Sequence, residues 1–321
     1  MKILNCDQLV ELSQNPPKHP MILNGLKSAH VGMLIAAPGM GKSRLAFSIA
    51  IEAASCYQLI GLKSGSTPIP TLIFSTEDGE DEVAKRMSQY FSYLPKQAKN
   101  EVNQNLNFVC DSTPIVVPAE SERSIMMENV QHLEKLNELF SNYKLVIIDT
   151  VSEAIGECDE VKHDRLIKNT IRRLAVRSGA AILLIHHVNK TDIRGTHDLT
   201  MASGAGLTTV MRLSKYLLGL KKHNNQIQLH YLKHNYIPEP EARVISLVSN
   251  EIGLFSSTET GSKDSNASSL PNMPHDAEQE VTTQPTKKKT RNRRRVSDEP
   301  REIQIKAEPE EEDIGSVRGV L

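Results

Sequence analysis

The sequence predicts an α/β fold: a mostly parallel, twisted sheet flanked by helices, with added C-terminal strands and a disordered tail. Three observations carry that expectation. Short apolar runs alternate with longer amphipathic stretches, as strand–helix units do. Two of those runs, VGMLIA (Val31–Ala36) and LVIID (Leu145–Asp149), lead into polar residues, the pattern of buried parallel strands whose carboxyl ends line a site. After Phe255 the composition turns to small and polar residues with almost nothing to bury.

Taken in order, residues 1–27 form an N-terminal arm whose short helical stretch is broken by Pro16 and Pro17, and residues 28–256 form the main domain. Val31–Ala36 is a strand, and KSRLAFSIAIEAAS after it carries apolar residues at helical spacing. TLIFS (Thr71–Ser75) is the next strand, followed by a helix in EDEVAKRMSQYFSYL, a strand in LNFVC and a helix around IMMENVQHLEKLNELF. KLVIIDT (Lys144–Thr150) and AAILLIHH (Ala180–His187) are buried-type strands, with the helix IKNTIRRLAVRS between them. KYLLGLKK, IQLHYLKHN and ARVISLVS read as strands added antiparallel at the sheet's edge. Residues 257–321 are the charged tail. It holds a basic block, Lys287–Arg295, and an acidic one, Glu308–Asp313. Such charges suit either a solvated tail or a nonspecific nucleic-acid arm.

The 321 residues carry a net charge of −1, and 39% are hydrophobic, enough for one sizeable core. No run approaches the length of a membrane span, and the acidic residues of MKILNCDQLVELSQ do not suit a signal peptide. The expectation is a cytoplasmic protein without a membrane partner. Cys6, Cys56, Cys110 and Cys158 are too far apart in sequence for a chelating pair and read as reduced thiols without chemistry.

Between the first strand and its helix lies AAPGMGKS, Ala36–Ser43, which fits A-x-x-x-x-G-K-S, a phosphate-binding loop with Ala in first place. The loop and helix start, Ala37, Pro38, Gly39, Met40, Gly41, Lys42, Ser43 and Arg44, are the candidate nucleotide contacts. Gly39 and Gly41 let successive N–H groups turn toward the phosphates, with the helix N-terminus behind them. Lys42 reaches the terminal phosphates of ATP, and Ser43 supplies a hydroxyl to Mg²⁺. Asp149, closing LVIID, is the second metal-site residue. Glu77, in STED after TLIFS, is the candidate for orienting an attacking water, while Asp78 is better placed to cap the next helix. His186 and His187 end a strand where an imidazole can meet a phosphate oxygen, bind a metal, or sit satisfied in the core. Zinc lacks a convincing further ligand set.

Phosphate loop, glutamate after the next strand, strand-end aspartate and a polar segment after another strand, in that order, resemble the RecA-like ATPases. APGMGKS, STED, VIIDT, HHVNK and KHNY (Lys233–Tyr236) together resemble the small hexameric plasmid replication helicases of the RepA type, over roughly residues 20–250. The resemblance implies a homo-hexameric, ATP- and Mg²⁺-dependent helicase that moves on single-stranded DNA, with a replication initiator or other protein as partner. It also implies a γ-phosphate sensor at His187, channel-loop contacts to DNA from Lys190 and Arg194, and an arginine finger in trans from Arg212. In a ring the N-terminal arm would lie on the adjacent subunit. The chain departs from the family pattern at Ser203–Gly204–Ala205, where an arginine often precedes Gly-Ser, so Arg212 or Lys233 carries more of that role. A RecA-like switch or loader acting through a protein partner is the alternative.

Overall fold

The computed structural model of the chain describes residues 3–14, 19–187 and 214–261. All lie in one compact unit, Met1–Ser268. After helix α1 (Cys6–Gln14) comes a small antiparallel hairpin, β1 (Met21–Leu23) and β2 (Leu26–Lys27), which places Ile22, Leu23 and Leu26 in the core. Next come β3 (Val31–Ala36), α2 (Lys42–Ser55), β4 (Thr71–Ser75), α3 (Glu80–Tyr93), α4 (Lys96–Asn105) and β5 (Leu106–Cys110). Then follow α5 (Arg123–Ser141), β6 (Leu145–Asp149), the single turn α6 (Val151–Ala154), α7 (Asp164–Ser178) and β7 (Ala181–His187). The described chain ends with β8 (Tyr216–His223), β9 (Gln226–His234), β10 (Ile245–Ser249), β11 (Phe255–Ser257) and one further helical turn, Thr258–Gly261.

Nine strands form one sheet in the order β11-β10-β9-β8-β3-β7-β6-β4-β5. The six from β8 to β5 are parallel. The α/β expectation therefore holds, with one correction. β8, expected as an antiparallel addition, lies parallel to β3, and only β9, β10 and β11 are antiparallel. A burial pattern cannot separate the two arrangements, because YLLGL is buried on both faces in either. The β8–β9 turn shows a local signal: Asn224 and Asn225 both take positive φ, +48° and +65°, as a two-residue hairpin turn requires and Asn tolerates.

The central strands are apolar without interruption because each buries both faces. Leu34, Ile73, Ile147, Leu183 and Ile185 point to one side and pack with α2, where Leu45, Phe47 and Ile49 are buried. Met33, Leu72, Phe74, Val146, Ile148 and Leu184 point to the other, against Leu136 and Phe140 of α5 and Ile167, Ile171 and Leu174 of α7. Among the described residues no helix is long and apolar enough to cross a membrane.

α2 carries one acid on an otherwise apolar face. Glu52 is 2% exposed, and its carboxylate accepts five consecutive backbone N–H groups. Oε2 takes those of Leu59, Ile60 and Gly61 at 2.9, 2.5 and 2.8 Å, and Oε1 those of Leu62 and Lys63 at 2.7 Å each. A charged acceptor thereby ties the irregular segment before β4 to the helix behind the phosphate loop. β11 fastens the same helix from another side: Phe255 N–H donates to Ser48 Oγ at 3.1 Å and Ser257 N–H to Leu59 O at 2.6 Å.

Candidate active site

The loop from Ala37 to Gly41 leaves the carboxyl end of β3 and runs directly into α2. Gly39 and Gly41 hold φ of +79° and +86°. Gly41 has a second constraint, since a Cβ there would stand 2.9 Å from the Phe255 ring. Pro38 and Gly39 are exposed, Ala37 and Met40 half-buried, and exposed Arg44 lays its guanidinium against the turn at Gly253. Gly41 is the helix N-cap and provides no side-chain cap, so the first-turn amides of α2 are left to an external acceptor.

Lys42 is 4% exposed and donates to the carbonyls of Ala36 and Ala37 at 3.1 and 3.0 Å. Burial lowers its pKa to about 8, against the pull of Asp149 and Glu77, which favour the charged form. Asp149, at the end of β6, is 6% exposed. Burial raises its pKa to about 6, with a hydrogen bond from Ser43 working the other way and Glu77 and Asp78 adding to the rise. Its Oδ1 is buried and without a hydrogen-bond partner. Ser43 and Asp149 therefore offer a hydroxyl and an unsatisfied carboxylate oxygen side by side, a donor set that fits Mg²⁺. Among the described residues no cluster of three or more His, Cys, Asp or Glu forms a metal cage, and Mg²⁺ bound through phosphates and water needs none.

Two bonds couple β4 to β6 at this edge. Thr76 N–H donates to Asp149 O at 2.9 Å, and Thr76 Oγ1 to Thr150 O at 2.8 Å. They hold the next residue, Glu77, beside the metal-site strand. Glu77 Oε2 lies 3.8 Å from His187 Nε2. Burial lowers the His187 pKa, and Lys42 lowers it further against the opposing pull of Glu77, so the imidazole is neutral near pH 7. The structure thus brings together Lys42, Ser43, Glu77, Asp149 and His187, from four strand ends and one helix start. His186 points away, 2% exposed, with Nδ1 3.4 Å from Ser152 Oγ and 4.0 Å from Glu160 Oε1.

One expectation needs correction. Asp78 does not cap α3: Gly79 is the N-cap, and Asp78 pairs with Arg86 at 2.7 Å. The helix already has Glu80, Asp81 and Glu82 in its first turn to meet its dipole, which frees Asp78 for an ion pair. Sequence reasoning also missed Arg86, Thr76 and Glu52. A lone glutamate in the apolar run SIAIEAAS was the available signal for the last. Lys190, Arg194 and Arg212 lie outside the described residues. Lys233, on β9, pairs in register with Leu217 at the start of β8, at the sheet edge opposite the phosphate loop.

A family model described as AAA domain matches residues 5–192, more than half of the chain. The chain belongs to the AAA domain family. This AAA domain protein has the fold of a RecA-like P-loop ATPase, and no curated protein matches it. Among solved structures it is similar to the ATPase domain of a replicative helicase, with TM-score 0.52 and 12% identity, over 78% of this chain and 95% of that one. It is also similar to a DnaB-like replicative helicase whose structure describes its interactions with primase, with TM-score 0.57 and 12% identity over 80% and 67% of the two chains. At that identity the likeness concerns the fold.

Proposed function

We propose that this AAA domain protein is an ATP-driven, ring-forming DNA helicase that moves on single-stranded DNA in the replication of a plasmid or similar mobile element. The observation that carries the reading is the convergence of Lys42, Asp149, Glu77 and His187 at one sheet edge. It puts a phosphate clamp, a metal ligand, a candidate base and a candidate sensor around one point. The replicative-helicase neighbours support it at the level of fold.

In this reading the α2 amides and Lys42 hold the phosphates, and Ser43 and Asp149 hold Mg²⁺. The metal supplies charge neutralisation on the leaving phosphate. Glu77 orients a water and accepts its proton, and neutral His187, in contact with Glu77, carries the loss of the terminal phosphate to the segment that follows β7. The proposed division of the chain is arm 1–27, ATPase domain 28–256 and tail 257–321. Arg212 acts from the neighbouring subunit, Lys190 and Arg194 meet DNA, and the assembly is a homo-hexamer working in the cytoplasm with a replication initiator or other protein partner.

The test is ATP hydrolysis with and without single-stranded DNA, with subunit number followed by light scattering and strand separation measured on a tailed duplex. Stimulation by DNA in a ring-sized species that unwinds supports the helicase. DNA-independent hydrolysis by a monomer or dimer removes it in favour of a nucleotide switch or loader.

A further inference from the structure

The sheet edge opposite the phosphate loop carries a second polar cavity. Val31 opens β3 there, and Lys215 stands immediately before β8, whose Tyr216 pairs with Gly32. Strand length separates this edge from the phosphate loop by about 20 Å at ~3.3 Å per residue. The cavity holds about 400 Å³, within the range of small-ligand pockets.

Its charge is of one sign. Lys168 and Arg172 of α7 and Lys215 line it together with His19 and His30, and no acidic residue does. None of these three permanent cations forms an ion pair with a described residue. The rest of the wall is aromatic and aliphatic: Tyr236 meets His30 edge-on at 5.3 Å between ring centres, and Ile171 and Val176 stand beside them. Lys27 Nζ lies 4.3 Å from the centre of the Tyr236 ring, adding a further cation beside the cavity. His30 Nδ1 donates to Ser28 O at 2.8 Å, which fixes the ring and leaves Nε2 for another partner. Three uncompensated cations beside an aromatic and aliphatic wall suit an anion that carries a planar ring.

We propose that this cavity is a second nucleotide-unit site, which takes a phosphate ester bearing a base, either as a free nucleotide or as one unit of a single strand. Lys168, Arg172 and Lys215 meet the phosphate, and the base lies against Ile171, Val176 and Tyr236. The site is independent of the phosphate loop and of the helicase reading.

The experiment is calorimetric titration of the full chain carrying Lys42→Ala, which silences the phosphate loop, with AMP in one arm and a 5′-phosphorylated thymidine dinucleotide in the other. One ligand is expected to bind per chain in at least one arm. Arg172→Glu or Lys215→Glu is expected to weaken it about tenfold or more, since each removes a charge-assisted contact and adds repulsion. Arg173→Glu, on the neighbouring position of α7 and facing the α5–α7 groove instead, should leave binding unchanged. Binding of AMP identifies a free nucleotide as sufficient, and binding of the dinucleotide alone identifies a strand. Absence of saturable binding in both arms overturns the proposal, as does loss of binding that is the same for Arg172→Glu and Arg173→Glu. Ligand that binds only when Lys42 is intact overturns it too, because the cavity would then depend on nucleotide at a phosphate loop.

Discussion

Glu77 and Asp149 are both acids at strand ends, yet their surroundings set them to different tasks. Glu77 is 55% exposed, with room for water, whereas Asp149 is sealed against Ser43. Replacing Glu77 with Gln should leave ATP affinity little changed while turnover falls by about 10²- to 10⁴-fold, the usual share of a general base. Equilibrium binding of a fluorescent ATP analogue beside a steady-state rate separates the two quantities, and normal turnover would place the base elsewhere. Asp149 gives a stability prediction. Its folded pKa, about 6, lies above the ordinary carboxylate value of 3.8, so the protonated form favours folding. That contribution is fully present below pH 3.8 and is lost as pH rises through about 6. At neutral pH the buried charge costs on the order of 1–3 kcal/mol. Asp149→Asn should therefore raise the thermal midpoint at pH 7, lose that advantage toward pH 4, and abolish Mg²⁺-dependent hydrolysis. Lys42, lowered to about 8 by burial, runs oppositely: the folded protein favours its neutral form, and its stability contribution is lost as pH falls through about 8. Nucleotide phosphates need the charged lysine and Mg²⁺ needs the charged aspartate, so binding of MgATP should be strongest between about pH 6 and 8.

Helix α2 joins the nucleotide site to the rest of the molecule. Its N-terminus is the phosphate loop, Ser48 anchors β11, and Glu52 gathers the segment 59–63. Glu52→Gln replaces one acceptor oxygen with an NH₂ group facing N–H donors. The expected cost is on the order of 3 kcal/mol in urea unfolding, with a lower midpoint and little change in slope. A cost below about 0.5 kcal/mol would mean that the segment holds without the carboxylate. The parallel strands were legible as elements because uninterrupted apolar runs have few other uses. β8 was legible as a strand and not in its direction, because direction depends on where the chain re-enters the sheet. The β1–β2 hairpin was missed because MILNGLK is too short for periodicity to register. Glu52 was passed over because its role depends on a loop seven to eleven residues on in the chain that folds back over it.

At the scale of the whole chain, a compact ATPase fold is followed by residues 262–321, with seven cations between Lys287 and Arg295. A chain ending at Gly261 retains β11 and its bonds to α2. It should hydrolyse ATP at the basal rate of the full chain. If the basic block contacts DNA phosphates, the truncated chain should bind single strands more weakly, with a salt dependence shallower by about 0.7 per lost contact. Filter binding or anisotropy across a salt series reads this directly, and an unchanged slope returns the block to a solvated role. The sequence by itself determined the phosphate loop, the strand order along the chain and the acids that close the strands, because each depends on neighbours within a few residues. Only the tertiary structure decided that Glu77 faces His187 and that His186 turns away. The same holds for Asp149 Oδ1, left unsatisfied beside Ser43, and for the cations of α7, which meet Lys215 and Tyr236 across the opposite edge. Those are contacts between distant segments, set by sheet register and by which face of each strand is buried, and no local pattern encodes them.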